Sequence, residues 1–147
     1  MDNNHISEMR AFNRFYTALI GVLNKKFLNG KYSLPELRVL QAIHLQEGIT
    51  ASEIIVLLNM DKSYLSRIIV RFEKKRFISK KTVPEDGRSY HLCLTASGKK
   101  EFIKQDAATH NQVKEILSQL SDNDCKTLIA SMVRIKEILS KPGAEKK

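Results

Sequence analysis

Hydrophobic residues recur at intervals of three and four positions along most of this chain, which is the spacing of one face of an α-helix. The segments that show this spacing are residues 6–27, 33–47, 50–58, 61–75, 96–120 and 121–139. Four of them open with a residue suited to cap a helix, one of which is Ser121. Ser33 and Thr50 each precede a glutamate by three positions, and Asp61 precedes a polar first turn. The pattern predicts a mainly helical protein.

The stretch between the fourth and fifth helices has a different period. Residues 78–83 form a lysine-rich strand pattern, Pro84–Gly87 is a turn sequence, and residues 88–94 alternate with Leu92 and Leu94 on one face. Two strands around a basic turn predict a β-hairpin. Because the two helices before it are joined by a short turn, the sequence predicts a helix-turn-helix followed by a two-stranded β wing.

Composition excludes several classes of protein. The 147 residues suit one domain with extensions. The longest aliphatic run, Ile54–Leu58, is far shorter than the roughly 18–20 residues that a membrane-spanning helix needs. No basic cluster followed by an apolar stretch opens the chain, and two cysteines are too few for a disulfide framework. We therefore expect a cytoplasmic protein with no membrane partner.

Charge adds the first positive indication of a partner. Basic residues outnumber acidic ones by 25 to 16, which gives a net charge of +9. More than half of this excess lies between Asp61 and His91, where nine basic residues accompany four acidic ones. Such a balance favours polyanions, either nucleic acid or an anionic membrane surface.

The helix at residues 61–75 has two unlike faces. Its apolar residues, Leu65, Ile68, Ile69 and Phe72, leave a polar set near the N-terminus that could reach base edges in a DNA major groove. An ordinary solvated helix face would look similar, but the basic hairpin that follows favours DNA binding. We assign DNA contacts to Lys62, Ser63, Tyr64, Ser66, Arg67, Arg71, Lys80 and Arg88. Asp86 could hold the Arg88 guanidinium in a bidentate pair.

Three sequence blocks in order, Asp61–Lys75, Pro84–Arg88 and Leu92–Gly98, resemble the MarR (multiple antibiotic resistance regulator) family. The resemblance implies a winged-helix dimer that binds a near-palindromic operator in double-stranded DNA and regulates transcription, most often as a repressor. By position it assigns Ser63, Tyr64, Ser66 and Arg67 to the major groove, Arg88 to the minor groove and Asp86 to the support of Arg88. Family members often have glycine where this chain has Arg76.

The outer helices carry more apolar surface than one packing partner needs, which predicts a homodimer, although the same helices could instead cover the core of a single chain. We divide the chain into a dimerisation helix (1–30), a winged helix-turn-helix domain (31–95), C-terminal dimerisation helices (96–141) and a polar tail (142–147). The resemblance also implies a small lipophilic or phenolic effector that releases the operator.

Signals for catalysis are weak. The four histidines have no short metal-ligand spacing, and Cys93 and Cys125 do not form a CxxC motif. We expect neither an enzyme nor a bound cofactor or metal. Two alternatives stay open: an architectural protein that binds nucleic acid without sequence preference, and a basic enzyme or metal-storage protein.

Overall fold

A computed structural model describes the backbone of residues 2–28, 31–83 and 85–141, and the side chains of these residues except 23–28, 86 and 88. The chain forms two compact units, which are Met1–Thr109 and His110–Lys147. The helices are α1 (Asn3–Leu28), α2 (Leu34–Leu45), α3 (Ala51–Leu58), α4 (Lys62–Lys74), α5 (Ala96–Ser118) and α6 (Asp122–Leu139). The strands are β1 (Ile49–Thr50), β2 (Ile78–Val83) and β3 (Asp86–Leu94). The predicted mainly α fold with a β wing is confirmed.

The predicted helix caps form as hydrogen-bonded structures. Ser33 Oγ accepts from the Glu36 amide at 3.3 Å, and the Glu36 carboxylate accepts from the Ser33 amide at 3.2 Å, which completes a capping box. Thr50 Oγ1 accepts from the Glu53 amide at 3.3 Å. Asp61 Oδ2 accepts from the Tyr64 amide at 3.0 Å and so begins α4. Local sequence therefore fixes where the helices of the helix-turn-helix start.

The wing contains one strand more than the sequence predicts. The antiparallel sheet has the order β1-β3-β2, with Ile78 opposite Leu94 on one side of β3 and Ile49 opposite Leu92 on the other. The Gly48 amide donates to the Leu92 carbonyl at 2.9 Å and extends the pairing to β1. Because β1 has only two residues, it has no hydrophobic period by which a sequence could reveal it.

The core of the first unit lies between α2, α3, α4 and the sheet. Its fully buried side chains are Val39, Leu40, Ile43, Ile49, Ile54, Leu65, Phe72 and Leu92. Helical spacing also places Leu45 inward, but this residue ends α2 and is exposed, because the chain leaves the core there. Cys93 interrupts the alternation of β3, since it is buried together with its neighbours Leu92 and Leu94.

Arg76 takes the backbone conformation that glycine would adopt most easily. Its φ of 59° lies in the left-handed region, where a side chain costs about 1 kcal/mol relative to glycine. The Arg76 amide donates to the Glu73 carbonyl at 2.9 Å, and the Arg76 carbonyl accepts from Thr95 Oγ1 at 2.6 Å. The exit of α4 is therefore held by hydrogen bonds despite the side chain.

Candidate nucleic-acid interface

Helix α4 separates its residues into a buried face and an exposed face. Leu65, Ile68, Ile69 and Phe72 are buried, as predicted. Lys62, Ser63, Ser66 and Arg67 are exposed on the other side, within the first turn and a half of the helix. Ser63 and Arg67 are four residues apart and so share one face. The apolar half anchors the helix, and the polar half is left to meet a partner.

Tyr64 lies between these two faces. It is half-buried and packs against the core, and its hydroxyl is 3.5 Å from Ser33 Oγ. The Arg67 guanidinium carbon lies 5.9 Å from the centre of the Tyr64 ring. Such a cation–π contact is weak at an exposed site, yet it favours one orientation of the arginine. Tyr64 therefore helps to orient the Arg67 side chain.

The wing brings basic and polar side chains opposite the first half of α4. A groove of about 290 Å³ runs between α3, α4 and the sheet, and Lys62, Ser66 and Lys80 line it together with Tyr90. Lys80 Nζ is 3.0 Å from Glu73 and 5.1 Å from the centre of the Tyr90 ring. The structure thus collects three of the residues assigned to DNA contact in one concave surface.

Two of the assigned basic residues have partners that the sequence did not reveal. Arg71 Nη1 donates to Glu36 Oε2 at 2.6 Å, and Lys80 pairs with Glu73. Glu36 had a role in the sequence only as a capping residue. Its pairing with Arg71 joins residues 35 positions apart, and no local pattern carries that information.

The tip of the wing holds the remaining assigned residues. Asp86 and Arg88 both lie in β3, the strand that returns from the predicted turn. Pro84 and the side chains of Asp86 and Arg88 fall outside the described part of the structure. The pairing of Asp86 with Arg88 and the minor-groove role of Arg88 therefore stay predictions.

A polar cluster lies beside the start of α2. Glu101 accepts from Gln105 at 2.9 Å and from Lys31 at 3.4 Å. Burial alone would raise the pKa of Glu101, but the donors of Gln105 and Tyr32 and the Lys31 ammonium outweigh it, so the pKa falls below its ordinary value. Among the residues that the structure describes, the buried Tyr32 hydroxyl finds no hydrogen-bond partner of ordinary geometry. Burial and the nearby Glu101 carboxylate raise the pKa of Tyr32 to about 12.

A cavity of about 250 Å³ opens between α2 and the first half of α5. Leu34, Leu37 and Phe102 give it apolar walls, and polar groups are supplied by Arg38, Gln41, Gln105, Asp106 and Thr109. No group of three or more histidine, cysteine, aspartate or glutamate side chains that could hold a metal ion occurs in the described residues. None of the described helices has the length and apolar character needed to cross a bilayer.

The fold and this surface define a winged helix-turn-helix protein. Its structure resembles that of Streptococcus pneumoniae FabT in complex with DNA, with a TM-score of 0.73 and 19% identity over 89% of this chain and 96% of that one. It also resembles the Streptomyces coelicolor regulator PcaV in complex with its natural ligand, with a TM-score of 0.73 and 17% identity over 86% of this chain and 89% of the other.

Sequence comparison narrows the class to a family. Residues 32–89 match the MarR family. A Thauera aromatica protein assigned as a transcriptional regulator for the hcr operon is 28% identical over 130 residues, which span 88% of this chain and 72% of that protein. These matches confirm the resemblance drawn from the three sequence blocks. The helix-turn-helix and wing of this chain thus match the MarR family, and over most of its length the chain is similar to a transcriptional regulator.

Proposed function

We propose that this protein binds operator DNA sequence-specifically as a homodimer, and that it acts as a repressor in the cytoplasm, associated with the nucleoid. The observation that carries the proposal is the division of α4, whose apolar half is buried while Lys62, Ser63, Ser66 and Arg67 stay exposed. A helix of this form fits the major groove and contacts base edges with its N-terminal residues. The complex of the structurally similar FabT with DNA supports this use of the fold.

Each contact has a distinct proposed role. Ser63 and Arg67 read bases, with Ser66 beside them and Tyr64 supporting Arg67. Lys62 and Lys80, which line one groove beside α4, meet phosphates there. Arg88 enters the minor groove from the wing, supported by Asp86, because a narrow minor groove attracts arginine. An operator read by two such surfaces related by a twofold axis is near-palindromic.

Release by a small molecule is the regulatory part of the proposal. The cavity between α2 and α5 combines apolar walls with Arg38, and its volume of about 250 Å³ suits a small aromatic or lipophilic anion. PcaV, which shares the fold, was solved with its natural ligand. An effector that prefers a dimer with another spacing of its recognition helices lowers operator affinity by that difference in binding energy.

The proposal is tested with a duplex that the wild-type protein enriches from a random-sequence pool. The Arg67→Ala variant should lower the ratio of enriched-duplex affinity to scrambled-duplex affinity by about 5- to 100-fold, because one bidentate arginine–guanine pair gives roughly 1–3 kcal/mol of discrimination. The matched control is Lys81→Ala, an exposed wing residue. It should weaken both affinities alike and flatten their salt dependence.

Two outcomes would contradict this assignment. If Arg67→Ala lowers both affinities equally, Arg67 contacts phosphate and not a base. If the wild-type protein binds enriched and scrambled duplexes equally well, the protein is an architectural binder, the alternative that its net charge of +9 favours.

A further inference from the structure

Glu36 is a buried carboxylate that does more than cap α2. We propose that Glu36 and Arg71 form a positioning pair that fixes the recognition helix α4 on α2, and that Arg71 is not a DNA contact. The inference rests on the proposed function, because it assigns how the reading surface is held. It also changes the role of a residue that the sequence places among the DNA contacts.

Both carboxylate oxygens of Glu36 accept hydrogen bonds from neighbouring residues. Oε2 accepts from Arg71 Nη1 at 2.6 Å, and Oε1 accepts from the Ser33 amide at 3.2 Å and from the Ser33 hydroxyl at 3.1 Å. Only 10% of the Glu36 side chain is exposed. A buried carboxylate that loses its cation is left uncompensated, which is strongly destabilising. A DNA phosphate would therefore have to compete with Glu36 for Arg71.

Arg71 lies in the last turn of α4. Arg71 lies eight residues beyond Ser63, about 12 Å along the helix axis. Recognition helices contact bases mainly with their N-terminal residues. The second guanidinium nitrogen of Arg71 faces the Lys31 carbonyl at 3.5 Å, so both ends of the group are directed toward the start of α2. The Arg71 side chain is 47% exposed, and two of its guanidinium nitrogens nevertheless have acceptors within the protein.

Helix α4 contacts the start of α2 at two points. Tyr64, in its first turn, reaches Ser33 Oγ at 3.5 Å, and Arg71 reaches Glu36. Ser33 and Glu36 belong to one capping box, and residues 64 and 71 are two helical turns apart on the same face. Two attachments on one face oppose rotation of α4 about its axis. That rotation determines which base edge the Arg67 guanidinium meets, since a misplacement of about 1 Å breaks a bidentate pair.

Substitution of an arginine can remove a phosphate contact, or it can disturb the surface that discriminates between sequences. A phosphate contact contributes to the slope of log affinity against log salt, and its removal weakens all sequences alike. A positioning residue contributes to discrimination between sequences and leaves the slope unchanged. Substitution of a residue that acts only within the protein therefore leaves the salt dependence of binding unchanged.

The experiment uses Glu36→Gln, Arg71→Met and the double variant, titrated against the enriched duplex and its scrambled counterpart at several salt concentrations. Each single variant should lower the affinity ratio by about five- to tenfold with an unchanged salt slope. The double variant should lower the ratio no further, because both substitutions remove one interaction. Arg71→Lys, which keeps the charge but not the fork, should recover part of the ratio. The matched control Lys74→Met, an exposed basic residue on the same helix, should keep the ratio.

The inference is overturned if Arg71→Met lowers the salt slope by about one per subunit and weakens both affinities equally, while Glu36→Gln changes neither. It is also overturned if the double variant keeps the wild-type ratio. The double variant leaves no unpaired buried charge, so it remains folded even where a single variant does not, and thermal unfolding of every variant verifies this. A wild-type protein that enriches no duplex would contradict the proposed function itself, which is a separate result.

Discussion

Tyr32 combines a well-packed ring with a hydroxyl that is near the Glu101 carboxylate but has no hydrogen bond of ordinary geometry within the described residues. The ring lies 6.3 Å from that of Phe72 between centroids, and the side chain is buried. A buried hydroxyl without a partner loses its hydrogen bonds to water on folding and gains none in return. The same burial, together with the Glu101 carboxylate, raises the pKa of Tyr32 to about 12. The ring therefore stabilises the fold while the hydroxyl opposes it.

The Tyr32→Phe variant should keep or increase the free energy of unfolding at pH 7, by up to about 1 kcal/mol. Above pH 10 the two proteins should diverge. The unfolded wild-type chain releases its proton near the ordinary pKa of 10.0 while the folded protein holds it until about 12, so the wild type loses stability as pH rises through this window. The variant lacks that loss. Urea unfolding at pH 7 and between pH 10 and 12 measures both effects, and a destabilised variant at pH 7 would contradict the prediction.

The joint between the wing and α5 packs backbone against backbone. Thr95 Oγ1 donates to the Arg76 carbonyl at 2.6 Å and accepts from the Gly98 amide at 3.0 Å, and the Thr95 amide donates to the Phe77 carbonyl at 2.9 Å. A Cβ added at Gly98 would lie 2.0 Å from the Phe77 carbonyl oxygen. The first turn of α5 thus rests directly on the segment that follows α4.

Gly98→Ala should lower the free energy of unfolding by about 1–3 kcal/mol or more, because the clash is with backbone and cannot be relieved by a side-chain rotation. Gly87→Ala is the matched control, since apart from its chain neighbours no atom of the described residues lies within 4 Å of the Cβ position there. It should change stability by less than about 0.5 kcal/mol. Chemical denaturation of both variants tests this, and equal losses at the two glycines would show that the backbone shifts freely.

The sequence predicts those elements whose signals are local. Ser33 and Asp61 begin their helices as predicted, because a cap depends on residues only three positions away. β1 was missed, since its pairing with β3 joins Ile49 to Leu92 and its two residues carry no pattern. The same reason hid the ion pair of Glu36 and Arg71. The exposed polar set of α4 could be predicted from its period, but the commitment of Arg71 within the protein depends on tertiary packing.

Two helices expose apolar faces that one copy of the chain leaves open. In α1 the exposed residues include Ile6, Met9, Phe12, Phe15 and Val22, and in α6 they include Ile129, Val133, Ile135, Ile138 and Leu139. The α1 set recurs at intervals of three and seven, and the α6 set covers more than one side of its helix; exposed apolar surface of this extent marks an interface. This arrangement supports the proposal that the functional protein is a homodimer with twofold symmetry.

Sedimentation at micromolar concentration should give about twice the chain mass of 16.8 kDa. Phe15→Asp should shift the protein toward the monomer, because Phe15 is 64% exposed on α1 and a charge there cannot be buried against a partner without cost. The control is Val56→Asp on α3, where an even more exposed residue lies outside the proposed interface, and this variant should remain a dimer. Wild-type protein that sediments as a monomer yet binds the enriched duplex tightly would contradict the dimer.

The position of β2 has a consequence for how the protein behaves in a crowded solution. Among the described strands, β1 covers one side of β3, and β2 covers the other and stands at the edge of the sheet. Its middle residues, Ser79, Lys80, Lys81 and Thr82, are exposed. An open strand edge is a template on which a second molecule can add a strand, and charged residues on such an edge oppose that self-association. Lys80 and Lys81 therefore oppose aggregation, a role separate from the phosphate contact proposed for Lys80. Arginine should be accepted at these positions, whereas valine or isoleucine should make the protein prone to aggregate even where the fold is unchanged.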